Sequence, residues 1–432
     1  MDPVLILCLM LVCFGLFLAI GTPVFAALGV SSMLGMVLHG GLSGLDAIPS
    51  ILHRGLTSYS LVCIPLFILM GEVMARSSIG SKLYSMFSLW LNRLPGGLGI
   101  ASIGSSAVFG AMSGVSVAGA ATIGKIAIPE MLKRGYQPGL ASGTVAAAGS
   151  LALLIPPSIG FVLYGEIANQ SIGRLFTAAI LPAVLLTVLM MLYFFCVVTW
   201  KRRYAPEQIM QATWKQRWRS LNGVWPALVL IFLVLGTIYA GIATPTEAAG
   251  VGAFGAFLIT ALYRELTWRM VSEIFRSTIV TTGMILLILA AALLFGFIIT
   301  RLMIPQMLIT WVAELSQPGW VLLVLVLLFL LVVGMFLDIA SVILITTPIL
   351  LPIITSLGYS PIWFGVILII TCEMAVITPP VGLNLYVIKG IAPDVSLNDI
   401  ILGALPFVGV QFLAILILTL FPQIALWLPG LT

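Results

Sequence analysis

Four short stretches carry helix breakers inside otherwise apolar sequence. They are GAMSGVSVAGAATIG (110–124), AAAGSLALLIPPSIG (146–160), GMFLDIAS (334–341) and ITPPVGLN (377–384). Glycine permits tight turning and close backbone approach, and Pro156-Pro157 and Pro379-Pro380 must interrupt any helix that contains them. A broken helix at membrane depth is tolerated only where protein or a wet cavity satisfies the freed backbone groups. Such breaks expose carbonyl oxygens, and Ser113, Ser116 and Thr122 add hydroxyls. Oxygen ligands of this kind suit a hard cation such as Na⁺, while half-helix N-termini suit a carboxylate. Two carboxylates, Asp338 and Glu373, lie inside or beside the breaks, where ionisable groups are expensive and therefore candidates for function. A hydrogen-bonding or capping role is the competing reading for each.

The chain around these stretches sets their medium. It has 432 residues, 61% hydrophobic and 8% charged, too few polar side chains to cover a water-soluble surface of this size. Apolar runs long enough to cross a ~30 Å hydrocarbon core recur along it. Pattern and breaks predict about ten full spans, near 3–20, 23–38, 58–75, 138–165, 177–200, 224–243, 247–263, 278–299, 362–388 and 399–428. Two interrupted segments, near 98–130 and 320–352, read as re-entrant hairpins. The first run follows Met-Asp-Pro without a basic region, so it reads as a permanent span rather than a cleaved signal.

Charge tests the layout. Of the 19 Lys and Arg residues, only Arg54, Arg174 and Arg301 fall on one side; the crowded side is cytoplasmic by the positive-inside rule, and both termini face outward. The net charge of +5 therefore reflects topology, not nucleic-acid binding. The longest polar stretch, WKRRYAPEQIMQATWKQRWRSLN (200–222), reads as a cytoplasmic arm on anionic membrane lipid. Cys8, Cys13, Cys63, Cys196 and Cys372 all lie in apolar runs and are expected to be small buried hydrophobes, with no CxxC pair for a metal. Glu130 and Glu247 read as loop or cap residues, and Glu72 and Glu166 as lying near the interfaces.

The halves match at a constant offset of 223: Pro129 with Pro352, Gly135-Tyr136 with Gly358-Tyr359, Pro138 with Pro361, and Pro156-Pro157 with Pro379-Pro380. An odd number of full spans per half places the second half in the membrane upside down. The expected fold is thus an all-α polytopic membrane protein, a first repeat over 1–220 and an inverted second repeat over 221–432, with paired cation sites and an anionic ligand between the hairpin tips. No HExxH, GxSxG or Walker A sequence is present, so no enzyme activity or ATP hydrolysis is expected. Asp338 and Glu373 are the one candidate acidic pair for an intramembrane enzyme, and neither half shows a GxGD pattern.

At these residues the chain resembles the large membrane subunit of tripartite ATP-independent periplasmic (TRAP) transporters, the DctM type of the ion transporter superfamily. The resemblance covers essentially the whole chain. It rests on PLFILMGEVM (65–74), on 110–136 and 146–176, on GMFLDIASVILITTPILLPI (334–353) and on EMAVITPPVGLNLYV (373–387). It implies an elevator-type, Na⁺-coupled carrier in the bacterial inner membrane. Its partners would be a small four-span membrane subunit and a periplasmic binding protein that delivers a carboxylate. The implied sodium ligands are Ser113, Gly114, Ser116, Gly149, Leu153 and Pro156 in one site and Gly334, Asp338, Thr378, Pro379 and Gly382 in the other. The substrate is expected near Ser113, Ser116, Pro157, Ser158, Asp338, Pro380 and Asn384. Where the family often has Ser-Gly-Ser-Ser at the first tip, this chain has Ser113-Gly114-Val115-Ser116. A stand-alone sodium/dicarboxylate symporter of the same superfamily is the other reading.

Overall fold

The computed structural model describes residues 1–206, 212–314 and 317–431, and every regular element among them is helical. The first half runs α1 (Pro3–Ala19), α2 (Val24–Gly40), α3 (Ile48–Leu56), α4 (Cys63–Arg76), α5 (Ile79–Leu91), α6 (Gly97–Ser113), α7 (Ser116–Lys133), α8 (Pro138–Ser150), α9 (Ile159–Ala168) and α10 (Ile172–Trp200). A connecting helix α11 (Trp214–Leu221) leads to α12 (Trp225–Tyr239), α13 (Pro245–Leu262), α14 (Trp268–Arg301), α15 (Ile304–Glu314), α16 (Gly319–Gly334), α17 (Ile339–Ser356), α18 (Pro361–Ala375), α19 (Leu383–Ile391) and α20 (Leu397–Leu420).

Helix boundaries recur at the offset of 223. Ser116 opens α7 and Ile339 opens α17; Pro138 opens α8 and Pro361 opens α18. One pair departs from it. The α3–α4 region is divided, whereas its counterpart α14 is continuous over 34 residues. At the division the Thr57 hydroxyl takes the His53 carbonyl and the Ser58 hydroxyl donates to Glu166, giving the backbone there an alternative to helix.

Local chemistry explains many of the ends. Asp2 caps α1 ahead of Pro3, and Thr244 and Glu247 form a reciprocal capping box on α13, as the cap reading of Glu247 expected. Glu130 is paired with Arg134 one turn away. Among the described residues, by length and composition, six helices can each cross a membrane, and a seventh if the bent α11–α12 pair, angled at 48°, is one span; seven further apolar helices are shorter. The exposed faces are apolar. Val184, Val188 and Leu192 form a stripe at helical spacing along α10. The cysteine expectation holds only for Cys63 and Cys372; Cys8 and Cys196 lie on exposed helix faces. In lipid an apolar-facing thiol has no reason to be covered.

The central crossing is α8 against α20. A Cβ on Gly143 would lie 2.1 Å from the Gly403 carbonyl carbon, and one on Gly403 would lie 1.8 Å from the Gly139 carbonyl oxygen. Small residues are what let membrane helices approach this closely.

Three short amphipathic helices, α3, α5 and α15, fall between the spans read from sequence. Helix α5 is strapped at both ends. Near its start the Ser78 N–H and hydroxyl donate to Glu265, and Lys82 sits 3.3 Å above the Tyr263 ring. Partial burial would raise the Glu265 carboxyl, but the Ser78 bonds and Lys82 outweigh it and hold the group below the usual carboxylate range. At the other end Arg217 of α11 donates to the Leu89 carbonyl at 3.1 Å and to Asn92 Oδ1 at 3.1 Å, while Trp90 donates to the Arg217 carbonyl. Trp214 and Trp218 meet the Trp90 ring edge-on at 6.4 and 6.0 Å. Within the basic arm read for lipid, then, Arg217 is turned inward, while Lys215 and Arg219 stay exposed; residues 207–211 of that arm lie outside the described residues. Arg217→Ala should lower the thermal midpoint of the detergent-purified protein, since it removes two charge-assisted bonds together worth ~2–4 kcal/mol. An unchanged melting curve would mean that the strap contributes no stability.

Candidate functional site

The first hairpin turns in two residues. Helix α6 ends at Ser113, Gly114 takes a left-handed conformation (φ 59°), and α7 starts at Ser116. Gly114 is required twice over, because a Cβ there would also lie 2.8 Å from the Pro157 carbonyl oxygen. The hairpin tip therefore rests on the first helix break. That break runs from the end of α8 at Ser150, through a single tight turn over Leu151–Leu153, to Ser158 at the start of α9. Gly149 and Gly110 bring the neighbouring helices close, with Cβ positions 2.5 Å from the Ala120 Cβ and 2.7 Å from the Ala152 Cα. Ser113, Gly114, Ser116, Gly149, Leu153 and Pro156 thus come from elements packed directly on one another.

The second set is arranged alike. Gly334 closes on Ala375, with a Cβ position 2.7 Å from the alanine methyl. Asp338 is the N-cap of α17, accepting from the Ser341 N–H at 3.1 Å and from the Ser341 hydroxyl. The break after α18 holds Thr378, whose hydroxyl donates to the Met374 carbonyl at 2.6 Å, and Gly382 in a left-handed conformation (φ 54°). Both Pro156-Pro157 and Pro379-Pro380 are cis.

Two buried polar links join the halves. Asn384 of α19, fully buried, donates to the Ser116 hydroxyl at 2.7 Å and to the Ala146 carbonyl at 3.1 Å. Glu373 of α18, also fully buried, accepts the Leu154 N–H at 3.1 Å, inside the first break, and faces the amide of Gln411, which also donates to Ser150 Oγ. The second half thereby supplies acceptors and donors to the broken helix of the first. Sequence singled out Glu373 and Asn384 but missed Gln411, whose signal is a lone amide in the apolar run of α20.

Two hydroxyls at the tip and the break are unpaired. Ser113 Oγ at the tip and Ser158 Oγ at the start of α9 are buried and have no partner among the described residues. A cation held by these elements would be held by carbonyls and hydroxyls; among the described residues no three His, Cys, Asp or Glu side chains cluster as a transition metal needs. Beside the tip opens a cavity of about 510 Å³ between α4, α7 and α14, bordered by Ser113, Thr122, Lys125, Glu72, Arg76, Ser277 and Thr281. Glu72, read from sequence as an interfacial residue, is part of this wall.

Residues 11–424 match the family model of the tripartite ATP-independent periplasmic transporter, DctM component. The chain belongs to the DctM family. It is 32% identical over 441 residues to the C4-dicarboxylate TRAP transporter large permease protein DctM of Rhodobacter capsulatus, covering 98% of this chain and 99% of that one. It is 33% identical over 424 residues to the isethionate TRAP transporter permease protein DctMQ of Oleidesulfovibrio alaskensis, covering 96% of this chain and 65% of that longer protein. Its fold is similar to that of the YdaH transporter of Alcanivorax borkumensis, with a TM-score of 0.66, 17% identity and 98% of each chain covered. DctM components are transporter permeases rather than enzymes, and this one is a multi-pass membrane protein.

Proposed function

We propose that this DctM chain is the large permease subunit that carries a carboxylate solute across the bacterial inner membrane, driven by Na⁺. The solute, a C4-dicarboxylate, sugar acid or similar anion, would be delivered by a periplasmic binding protein, with a small four-span membrane subunit as the other partner. The observation that carries this reading is the seating of the first hairpin tip on a helix break, with a second hairpin and break 223 residues later.

In this reading residues 1–220 and 221–432 are inverted repeats, with about ten full spans, and each hairpin with its break forms one cation site. Ser113, Gly114, Ser116, Gly149, Leu153 and Pro156 frame the first; Gly334, Asp338, Thr378, Pro379 and Gly382 frame the second. Na⁺ exchanges its hydration shell for fixed carbonyl and hydroxyl oxygens, and the bound charge draws the carboxylate to the helix N-termini at Ser116, Ser158, Asp338 and Asn384. Pro157 and Pro380 aim those half-helices. A dianion gains from the membrane potential only with more than two Na⁺, each charge being worth ~2.3 kcal/mol per 100 mV. The hairpins and broken helices would move as one elevator body against the remaining helices.

The test is uptake of radiolabelled C4-dicarboxylates and sugar acids into proteoliposomes holding this chain and its small subunit under an inward Na⁺ gradient. Uptake requiring both Na⁺ and the binding protein is expected. Uptake with Na⁺ alone would instead indicate a stand-alone symporter, and Na⁺-independent uptake would sink the cation sites.

A further inference from the structure

The cavity beside the first hairpin is polar in a way that the repeat does not demand. Adding 223 to Glu72, Arg76, Ser113 and Lys125 gives Phe295, Ile299, Phe336 and Pro348. The fold therefore builds these four positions from apolar residues in the other half, so these four polar side chains answer to something other than helix packing; Ser277 and Thr281 map onto the polar Arg54 and Ser58. Within the wall the charges are not balanced. Glu72 is paired with Arg76 on the next turn of α4, and its other oxygen accepts the Ser277 hydroxyl of α14 at 2.8 Å. Lys125 has no hydrogen-bond or ion-pair partner among the described residues and remains the uncompensated charge. At the opposite end, Ser113 is 1% exposed with its hydroxyl unpartnered.

We propose that Lys125 is a specificity-determining residue: it receives the far anionic group of a solute whose near carboxylate lies at the hairpin tip by Ser113. The membrane subunit would then itself sort solutes by their far end. This rests on the reading of the chain as an organic-anion carrier.

Geometry sets the length of the ligand. From Ser116 to Lys125 the helix axis advances roughly 13 Å, and helical side chains lean toward the N-terminus, so the ammonium reaches back to within roughly 7–10 Å of the tip. Val117, Ala118, Ala121 and Thr122 present one face of α7 between the two poles. Ser277 and Thr281 put hydroxyls on the facing wall. A hydroxylated chain of about six carbons with an anion at each end matches that spacing and lining.

Glucarate and gluconate isolate the far group, since they share chain length and configuration and differ only in carboxylate against hydroxymethyl at that end. Their binding to the purified large and small subunits in Na⁺ buffer, followed by calorimetry, tests the proposal. Glucarate should bind about tenfold tighter than gluconate. Lys125→Gln should erase that ratio while gluconate affinity stays within about twofold, and Lys125→Arg should retain it. Lys125 is exposed, so these variants keep the fold. Equal binding of the two acids by the wild type, no binding of either, or a preference that survives in Lys125→Gln would overturn the proposal. The uptake assay separates the levels: Na⁺-dependent uptake of other acids with any of these results leaves the carrier reading intact, and its absence for every acid removes both.

Discussion

Replacing Pro156 and Pro379 together by alanine should reduce sodium-dependent uptake at least ~100-fold, a loss of about 2.7 kcal/mol, while leaving the protein assembled. Each proline lies just past a helix end and withholds the N–H that continuing that helix would need. Alanine restores that donor, which then competes for the carbonyls of Ala152 and Ala375 four residues back. It also favours extension of α8 and α18 up to Pro157 and Pro380, which still stop them, and so withdraws oxygens that the breaks present. The first break also carries the hairpin tip: Gly114 packs so close to it that a Cβ there would lie 2.8 Å from the Pro157 carbonyl oxygen. Gel filtration of the double variant with its small subunit checks assembly, and proteoliposome uptake checks function. Wild-type uptake in that variant would show that the breaks do not make the site.

Glu373→Leu should also be damaging, though less so, and Glu373→Gln should not. Leucine leaves the Leu154 N–H without its buried acceptor, at a cost of ~1–3 kcal/mol, and takes from the Gln411 amide one of its two acceptors, Ser150 Oγ remaining. The first break would loosen, with uptake falling at least ~10-fold and the thermal midpoint dropping with it. Glutamine keeps an acceptor for Leu154. Its new NH₂ would face the Gln411 amide, but Gln411 Oε1 has no partner among the described residues, so that amide can turn and accept. Uptake by Glu373→Gln within a few-fold of wild type would mark Glu373 as a residue that positions the break through hydrogen bonds. A folded but inactive Glu373→Gln would mean that the negative charge itself is needed, making the carboxylate part of the ion chemistry.

The features legible in the sequence share one property: they act locally, through their own hydrophobicity or their own backbone. Apolar runs announce the membrane, Pro156-Pro157 and Pro379-Pro380 stop helices wherever they fall, and Gly114 permits the turn at the first tip. Interrupted apolar runs located both helix hairpins to within a few residues, and matched prolines and Gly-Tyr pairs at one offset related them. Helices α3, α5 and α15 escaped because short amphipathic stretches between spans are not long apolar runs. Links across the chain escaped for a different reason. Ser116 meets Asn384 across 268 residues, and Leu154 meets Glu373 across 219. Arg217 turns inward to cap α5, and Glu72 turns toward the cavity. Whether a polar side chain on an apolar helix faces lipid, a neighbouring helix or a cavity depends on how that helix is rotated within the packed bundle. Composition places the residue on the helix, but only tertiary packing decides what it faces.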